Sequence, residues 1–237
     1  MSIGKRVPEL SVVMPAFNEE AVLPGSLREA VSSLDALCER WELIVVDDGS
    51  TDDTAAILAE AARRDSRIRV ETHTSNRGYS AALTRGFRAC RYDAVFYTDA
   101  DGQFDLRELE KAYPLLAGAD MVAGWRCGRR DPWPRQFASL GFNLLQALAL
   151  GVRARDVDCA FKLFRRSFFE RVPLSSEGFL IDAELYARAR RAGLRVVQLP
   201  VTHRPRAAGR STVRWITVWR TLAQLRRLSS TLRAEVR

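Results

Sequence analysis

Short apolar runs recur along the chain at Leu10–Met14, Trp41–Val46, Ile68–Glu71, Ala94–Tyr97 and Met121–Ala123. Between them lie Glu20–Glu39, Asp53–Arg63, Ser80–Cys90 and Leu106–Leu116, in which apolar residues return every three or four positions. The first set predicts strands and the second amphipathic helices. Strands that are apolar almost throughout, alternating with helices, specify a mostly parallel central sheet with helices on both faces, an α/β fold. Ligands of such sheets bind beyond the carboxyl ends of the strands. The polar clusters Ala16–Glu19, Asp47–Ser50 and Asp99–Gln103 all fall at those ends. Periodicity leaves the second half of the chain unassigned, and no repeat, low-complexity tract or linker divides it.

The richest of these clusters is Tyr97-Thr98-Asp99-Ala100-Asp101-Gly102-Gln103-Phe104-Asp105. Side chains two residues apart on a strand share a face, so Asp99 and Asp101 point the same way if strand geometry persists to the tip. Gly102 then lets the backbone turn. Paired hard oxygen ligands suit Mg²⁺ or Mn²⁺, which keep several waters and take phosphate oxygens as their remaining ligands. The implied substrate carries a diphosphate. The same D-x-D-G also serves elsewhere as a plain polar turn closing a strand.

At 237 residues and 47% apolar, the chain can bury a full core in one domain. Cys38, Cys90, Cys127 and Cys159 form no C-x-x-C pair, so neither a zinc site nor a disulfide framework is signalled, and a reducing cytosol is the expected location. Met1 to Leu10 has no apolar stretch of signal-peptide length, and the run Ala138 to Val152 is interrupted by Asn143 and Gln146. A spanning helix needs about 20 apolar residues, so no crossing of a bilayer is expected. The net charge of +8 is uneven: from Pro200 onward there are nine arginines and one acid, Glu235. In that tail Trp215, Ile216, Val218, Trp219, Leu222 and Leu225 alternate with arginines at helical spacing, the mixture of an amphipathic helix. Such a helix either lies on a membrane or packs its apolar stripe on its own domain. Without a helix-turn-helix, zinc-finger or RNP pattern, no nucleic-acid partner is expected.

Two further segments join the D-x-D: Val12-Val13-Met14-Pro15-Ala16-Phe17-Asn18-Glu19-Glu20 and Leu43-Ile44-Val45-Val46-Asp47-Asp48-Gly49-Ser50-Thr51-Asp52. In this order they resemble the family-2 glycosyltransferases of GT-A fold. Arg155-Asp156-Val157-Asp158-Cys159-Ala160-Phe161-Lys162-Leu163-Phe164-Arg165-Arg166 is similar to that family's R-D-x-x-x-x-F-(R/K)-L-(F/Y)-x-R stretch. Gly178-Phe179-Leu180-Ile181-Asp182-Ala183-Glu184-Leu185 resembles its acidic helix start, and His203 to Ser211 its closing R-x-x-G-x-S loop. These later motifs resemble the polyprenyl-phosphate branch, which is dolichol-phosphate mannose synthase-like. Gly124-Trp125-Arg126 with Arg129, Arg130, Trp133 and Arg135 resembles a strand and loop leading into surface helices, here Gln136 to Leu150 and part of the tail.

The resemblance implies a Rossmann-like GT-A domain over residues 1–211 and a basic amphipathic C-terminal helix over 212–237, packed on the domain or on membrane. It implies an inverting transfer of a hexose from a UDP- or GDP-sugar to a polyprenyl phosphate, with Mg²⁺ or Mn²⁺ as cofactor. Asp47 and Asp48 would bond the base or ribose, in a pocket shaped by Pro15, Ala16, Asn18 and Glu19; Ser50 or Thr51 serve as helix caps in any reading. Asn76, Arg77 and Gly78 match the family's N-x-G turn beside the nucleotide. Asp99 would face ribose or metal, Asp101 would be the main metal ligand and a catalytic residue, and Gln103 a second ligand. Arg206 and Ser211, with Arg210, would reach the phosphates; relatives often carry Lys after that Ser, where this chain has Thr212.

Asp156, Asp158, Asp182 and Glu184 are the remaining acids able to reach sugar or acceptor, with Asp156 the first candidate base. An ionised phosphate acceptor would need no base, whereas a hydroxyl acceptor would. Asp182 and Glu184 also suit a helix start, where the dipole favours negative charge. His73 and His203 read as hydrogen-bonding residues. Peripheral contact at the cytoplasmic membrane face is expected, and a separate membrane protein using the product is an open partner. Two alternatives stand beside this reading: the same donor chemistry with a glycan or soluble acceptor, and a basic nucleotide-binding module without turnover.

Overall fold

A computed structural model describes residues 6–127, 141, 145–176, 178, 180–205 and 215–234, with only the backbone of 215–222. The elements in order are β1 (Val7–Ala16), α1 (Leu23–Leu37), β2 (Cys38–Asp47), α2 (Thr54–Arg64), β3 (Ile68–Thr72), α3 (Tyr79–Ala89) and β4 (Ala94–Thr98). After α4 (Leu109–Ala112) and β5 (Met121–Cys127) come the helical residues 145–150, here α5. The chain then forms β6 (Phe161–Arg165), α6 (Ser167–Arg171), α7 (Ile181–Arg191), β7 (Val196–Thr202) and α8 (Trp215–Ala234).

The seven strands form one sheet in the order β3-β2-β1-β4-β6-β5-β7. Every neighbouring pair is parallel except those made by β6, which runs antiparallel to both β4 and β5. The mostly parallel sheet expected from the apolar runs is therefore present, and its strands outlast those runs. β1 pairs with β2 from Val7↔Cys38 to Ala16↔Asp47, so the ladder carries both strands past their apolar centres into the polar tips. β6 and β7 were not legible as strands. β7 contains Pro200, which suits an edge strand because it cannot donate to a ladder, and among the described strands β7 pairs with β5 alone.

The expected helix over Leu106–Leu116 is broken into a 3₁₀ turn at Leu106–Glu108, α4, and a second 3₁₀ stretch at Tyr113–Gly118. Pro114 explains the break, since it has no N–H to continue the ladder. Packing is tight where helices cross the sheet. A Cβ on Gly86 of α3 would lie 2.3 Å from Val13 Cγ1, so this position lets α3 sit directly on β1.

Phe87, Tyr97, Phe164, Phe168 and Phe169 form an aromatic cluster on the α3 side of the sheet. In α8, Leu225, Leu228 and Leu232 are buried at spacings of three and four, facing the protein. Ser229 Oγ donates to the Ala149 carbonyl at 3.1 Å, and Arg191 reaches the Leu232 carbonyl. The exposed face there carries Arg226, Arg227 and Arg233. The expected boundary at residue 211 lies outside the described residues, as does most of the expected helix 136–150. Among the described residues no helix is long and apolar enough to cross a membrane.

Candidate active site

The carboxyl ends of β1, β2, β3 and β4 bring the polar clusters together. The loops after β1 and β2 clasp each other through their backbones: Asn18 N–H donates to Ser50 Oγ at 3.0 Å, Thr51 N–H to Asn18 Oδ1 at 2.8 Å, and Glu19 N–H to Thr54 Oγ1 at 2.9 Å. Asn18 takes a left-handed φ of 54° to do so, a conformation Asn tolerates better than most residues. Pro15 and Ala16 are buried strand residues opposite Val46 and Asp47, so they form the floor of this corner. Asp47 accepts Ser50 N–H at 2.9 Å, closing a turn on itself.

Asp48 is committed to the next loop. Its Oδ1 accepts Arg77 N–H at 2.9 Å and stands 2.6 Å from His73 Nδ1, while its Oδ2 accepts Gly78 N–H at 2.7 Å. The carboxylate thus holds the two amides that immediately precede α3. It also makes His73 a hydrogen-bonding residue. Asn76 is exposed at the rim. Gly49 has φ 73°, and a Cβ there would meet the Ser75 carbonyl carbon at 2.5 Å, so the two loops touch backbone to backbone.

Asp99 and Asp101 stand side by side just past β4. Asp99 accepts the Tyr79 hydroxyl at 2.9 Å; Asp101, among the described residues, accepts Gln103 N–H at 3.1 Å, within its own turn. Gly102 makes that turn with φ 68°. Burial pushes the Asp99 carboxyl up to about 7, and the neighbouring Asp101 charge adds to the push. Two adjacent carboxylates at a strand end fit a divalent ion. Among the described residues no group of three or more acids, cysteines or histidines is placed to hold a metal by itself. The remaining ligands would be phosphate and water oxygens, as Mg²⁺ and Mn²⁺ prefer. A proton on Asp99 competes with the ion, so Mn²⁺ affinity is expected to be about tenfold weaker at pH 6 than at pH 8. Electron paramagnetic resonance titration checks this, and equal affinities would contradict it.

Gln103 faces the chain's closing segment. Its Nε2 donates to the Arg204 carbonyl at 2.9 Å, and its own carbonyl accepts Arg204 N–H at 2.8 Å. Phe104 bridges to His203, whose ring meets Phe104 edge-on at 5.2 Å. Arg204 bonds Asp105 at 2.7 Å and also pairs with Glu29. The start of the closing loop is thereby fastened to the D-x-D turn. Arg206, Arg210 and Ser211 lie outside the described residues.

The far side of the cleft holds the other acids. Asp156 is buried and accepts from Arg126 Nε at 2.6 Å and Nη2 at 2.7 Å, so both of its oxygens are occupied and a base role would first require that pair to open. Arg155 lies over Trp125, 4.9 Å from the ring centroid. Asp158 is half-buried, and burial together with Asp182 pushes it up to about 6. Asp182 and Glu184 face inward. Glu184 is fully buried, yet its bonds from Arg188 and Ser176 outweigh that burial and hold its carboxyl below the usual range.

Asp182 accepts Lys162 Nζ at 2.6 Å, and Tyr97 also bonds it. Lys162 reaches the carbonyls of Val157 at 2.9 Å and Cys159 at 2.7 Å as well. Sequence reasoning missed the roles of Lys162, Tyr97 and Tyr79. The available signal was a lysine inside the otherwise apolar Phe161–Phe164 run.

A model of the family described as glycosyl transferase family 2 matches residues 11–172. Glycosyltransferase AglD of Haloferax volcanii is 35% identical over 209 residues, covering 84% of this chain and 33% of that protein. Undecaprenyl-phosphate 4-deoxy-4-formamido-L-arabinose transferase of Aeromonas hydrophila is 33% identical, with 85% of this chain and 62% of that protein covered. Polyprenol monophosphomannose synthase of Mycolicibacterium smegmatis is 33% identical, with 84% and 78% covered. The chain thus spans a third of the first relative's length and about three fifths of the second's.

Among solved structures, glucosyl-3-phosphoglycerate synthase of Mycobacterium tuberculosis superposes with a TM-score of 0.65 in its complex with Mn²⁺, UDP and glucosyl-3-phosphoglycerate, at 23% identity over 95% of this chain and 78% of that one. Its phosphoglyceric acid complex gives a TM-score of 0.67 at 26% identity, over 95% and 79%. The shared architecture is the GT-A, Rossmann-like fold.

Proposed function

We propose, from the premise that this chain belongs to glycosyl transferase family 2, that it moves a hexose from a UDP- or GDP-sugar to a polyprenyl phosphate with inversion. The observation that carries this reading is the strand-end pair Asp99 and Asp101, set across from the corner that Asp47 and Asp48 build. The names of the relatives that act on undecaprenyl phosphate and polyprenol support the acceptor.

In this reading the nucleoside lies over Pro15 and Ala16, against Asp47 and the loop that Asp48 braces. Asp101, aided by Asp99 and Gln103, would hold Mg²⁺ or Mn²⁺. Such an ion, when bound, neutralises charge on the departing diphosphate. An ionised phosphate oxygen of the acceptor attacks the anomeric carbon as the bond to the nucleoside diphosphate breaks, so no proton has to be removed. Asp156 then positions Arg126 toward an anionic acceptor, and Arg206 and Ser211 would contact the donor phosphates. The arginine face of α8 would meet the anionic lipid surface from which the acceptor is taken.

A second reading keeps the donor site and replaces the lipid with a soluble phosphorylated acceptor, favoured by the phosphoglyceric acid complex of the solved relative. One assay separates them. Purified full chain with Mn²⁺ is given UDP-glucose or GDP-mannose, each with a short polyprenyl phosphate or with 3-phosphoglycerate, and products are read by mass spectrometry. Glycosylated lipid that disappears with chelator is expected. Glycosylated phosphoglycerate alone would move the function to the second reading, and binding of donor without any product would leave a nucleotide-binding module.

A further inference from the structure

We infer that Gln224 of α8 is a positioning residue for the donor pocket, acting through Gly178. The inference rests on the donor-site reading above. Gly178 has a left-handed φ of 66°, and a Cβ there would lie 2.9 Å from Gln224 Oε1 and 3.1 Å from Nε2. The glutamine amide therefore lies directly over this one backbone unit.

The same unit grips α3 from its other side. The Gly178 carbonyl accepts both Ser80 N–H at 3.0 Å and Ser80 Oγ–H at 2.9 Å. Gly78, whose own Cβ would be 3.8 Å from Gly178 Cα, donates to Asp48. Tyr79, between them, donates to Asp99. Three consecutive residues at the start of α3 thus connect Gly178 to the acid that braces the nucleotide loop and to the acid beside the metal ligand.

α8 itself is seated by three buried leucines, by Ser229 on the Ala149 carbonyl and by Arg191 on the Leu232 carbonyl. Its seat is far from Gly178 in sequence but fixes the height of Gln224 over it. Displacing Gln224 frees the 178 backbone, and with it the anchor of Ser80. Tyr79 and Gly78 then lose the register that holds Asp99 and Asp48 at the pocket. A coupling of this kind links the C-terminal helix to donor binding without any contact between the helix and the donor.

The test is calorimetric titration of UDP and of GDP into full chain with Mn²⁺, for the unaltered protein, Gln224→Ala, Gly178→Ala, the double variant, and Ser229→Ala. Ser229→Ala serves as a control that removes one hydrogen bond of α8 away from Gly178 while the three buried leucines keep Gln224 at its height. Gln224→Ala is expected to weaken nucleotide binding by about three- to tenfold, and to raise the donor KM by the same factor with the acceptor KM unchanged. Gly178→Ala weakens it further, and adding Gln224→Ala recovers part of that loss because the new methyl gains room. Ser229→Ala leaves nucleotide affinity where it was. Multiplicative losses in the double variant, or equal losses for Gln224→Ala and Ser229→Ala, would overturn the positioning role. An unaltered, folded protein that binds neither nucleotide would instead overturn the donor-site reading and this inference with it.

Discussion

Asp101→Asn is expected to cut glycosyl transfer by about a thousandfold or more while the protein stays folded, with a melting temperature equal to the parent's or slightly higher. The two effects have one cause. The Asp101 charge faces Asp99, whose carboxyl is already pushed up to about 7 by burial and by that neighbour. A carboxylate whose folded pKa is raised above its unfolded value loses stability as pH rises from the unfolded pKa to the folded one. Neutralising Asp101 lowers the folded pKa of Asp99 and returns part of that loss at neutral pH. The amide oxygen of Asn can still accept Gln103 N–H, the contact Asp101 makes within its turn. What is lost is the anionic ligand, and ~4 kcal/mol of charge stabilisation in the transition state corresponds to about a thousandfold in rate. Steady-state transfer and thermal melting on the same preparation check both halves. Transfer within tenfold of the parent would remove Asp101 from the site.

Lys162→Met is expected to destabilise the fold by about 3–5 kcal/mol, the cost of leaving a buried ion without its partner. Lys162 is 0% exposed and donates to Asp182, Tyr97 and two backbone carbonyls. Removing the ammonium strands the Asp182 carboxylate, which lies 4% exposed. A domain is typically stable by only about 5–15 kcal/mol, so the loss is a large share. Lys162→Met combined with Asp182→Leu removes both charges, and is expected to recover much of the loss, since replacing a whole buried pair by apolar groups is often near neutral. Urea denaturation of the parent, single and double variants tests this. A single variant within about 1 kcal/mol of the parent, or a double no better than the single, would contradict the role of the pair.

The first five strands were legible because parallel strands covered on both faces read as unbroken apolar runs, from Leu10–Met14 to Met121–Ala123. The strand ends that carry Asp47, Asp48, Asp99 and Asp101 were legible for the same reason, lying among the first polar residues after each run. β6 was hidden by Lys162, a charge that only makes sense once Asp182 and Tyr97 are known to meet it. β7 was hidden by Pro200, which is harmless only at an edge. The break after α4 follows from Pro114, a residue visible in the sequence but outweighed there by the helical spacing around it.

Partnerships across the fold were beyond pattern reading. Arg126 with Asp156, Tyr79 with Asp99, and Asp48 with the Arg77 and Gly78 amides all join segments that local periodicity treats separately. Both oxygens of Asp48, read from sequence as a nucleotide ligand, accept from the loop before α3, and both of Asp156, read as a candidate base, accept from Arg126. The apolar stripe read in the tail from Trp215 to Leu225 fitted either a membrane or the protein, and in α8 the fold buries Leu225 together with Leu228 and Leu232.

The central claim is that Asp99 and Asp101 join a divalent ion and a nucleoside diphosphate at the ends of these strands. Its most direct test is calorimetric titration of UDP and GDP into the full chain, with and without Mn²⁺, beside Asp101→Asn. The account predicts that at least one nucleotide binds, that chelation weakens it at least about tenfold, and that Asp101→Asn behaves like the chelated parent. A nucleotide bound equally well without metal, and equally well by Asp101→Asn, would contradict it.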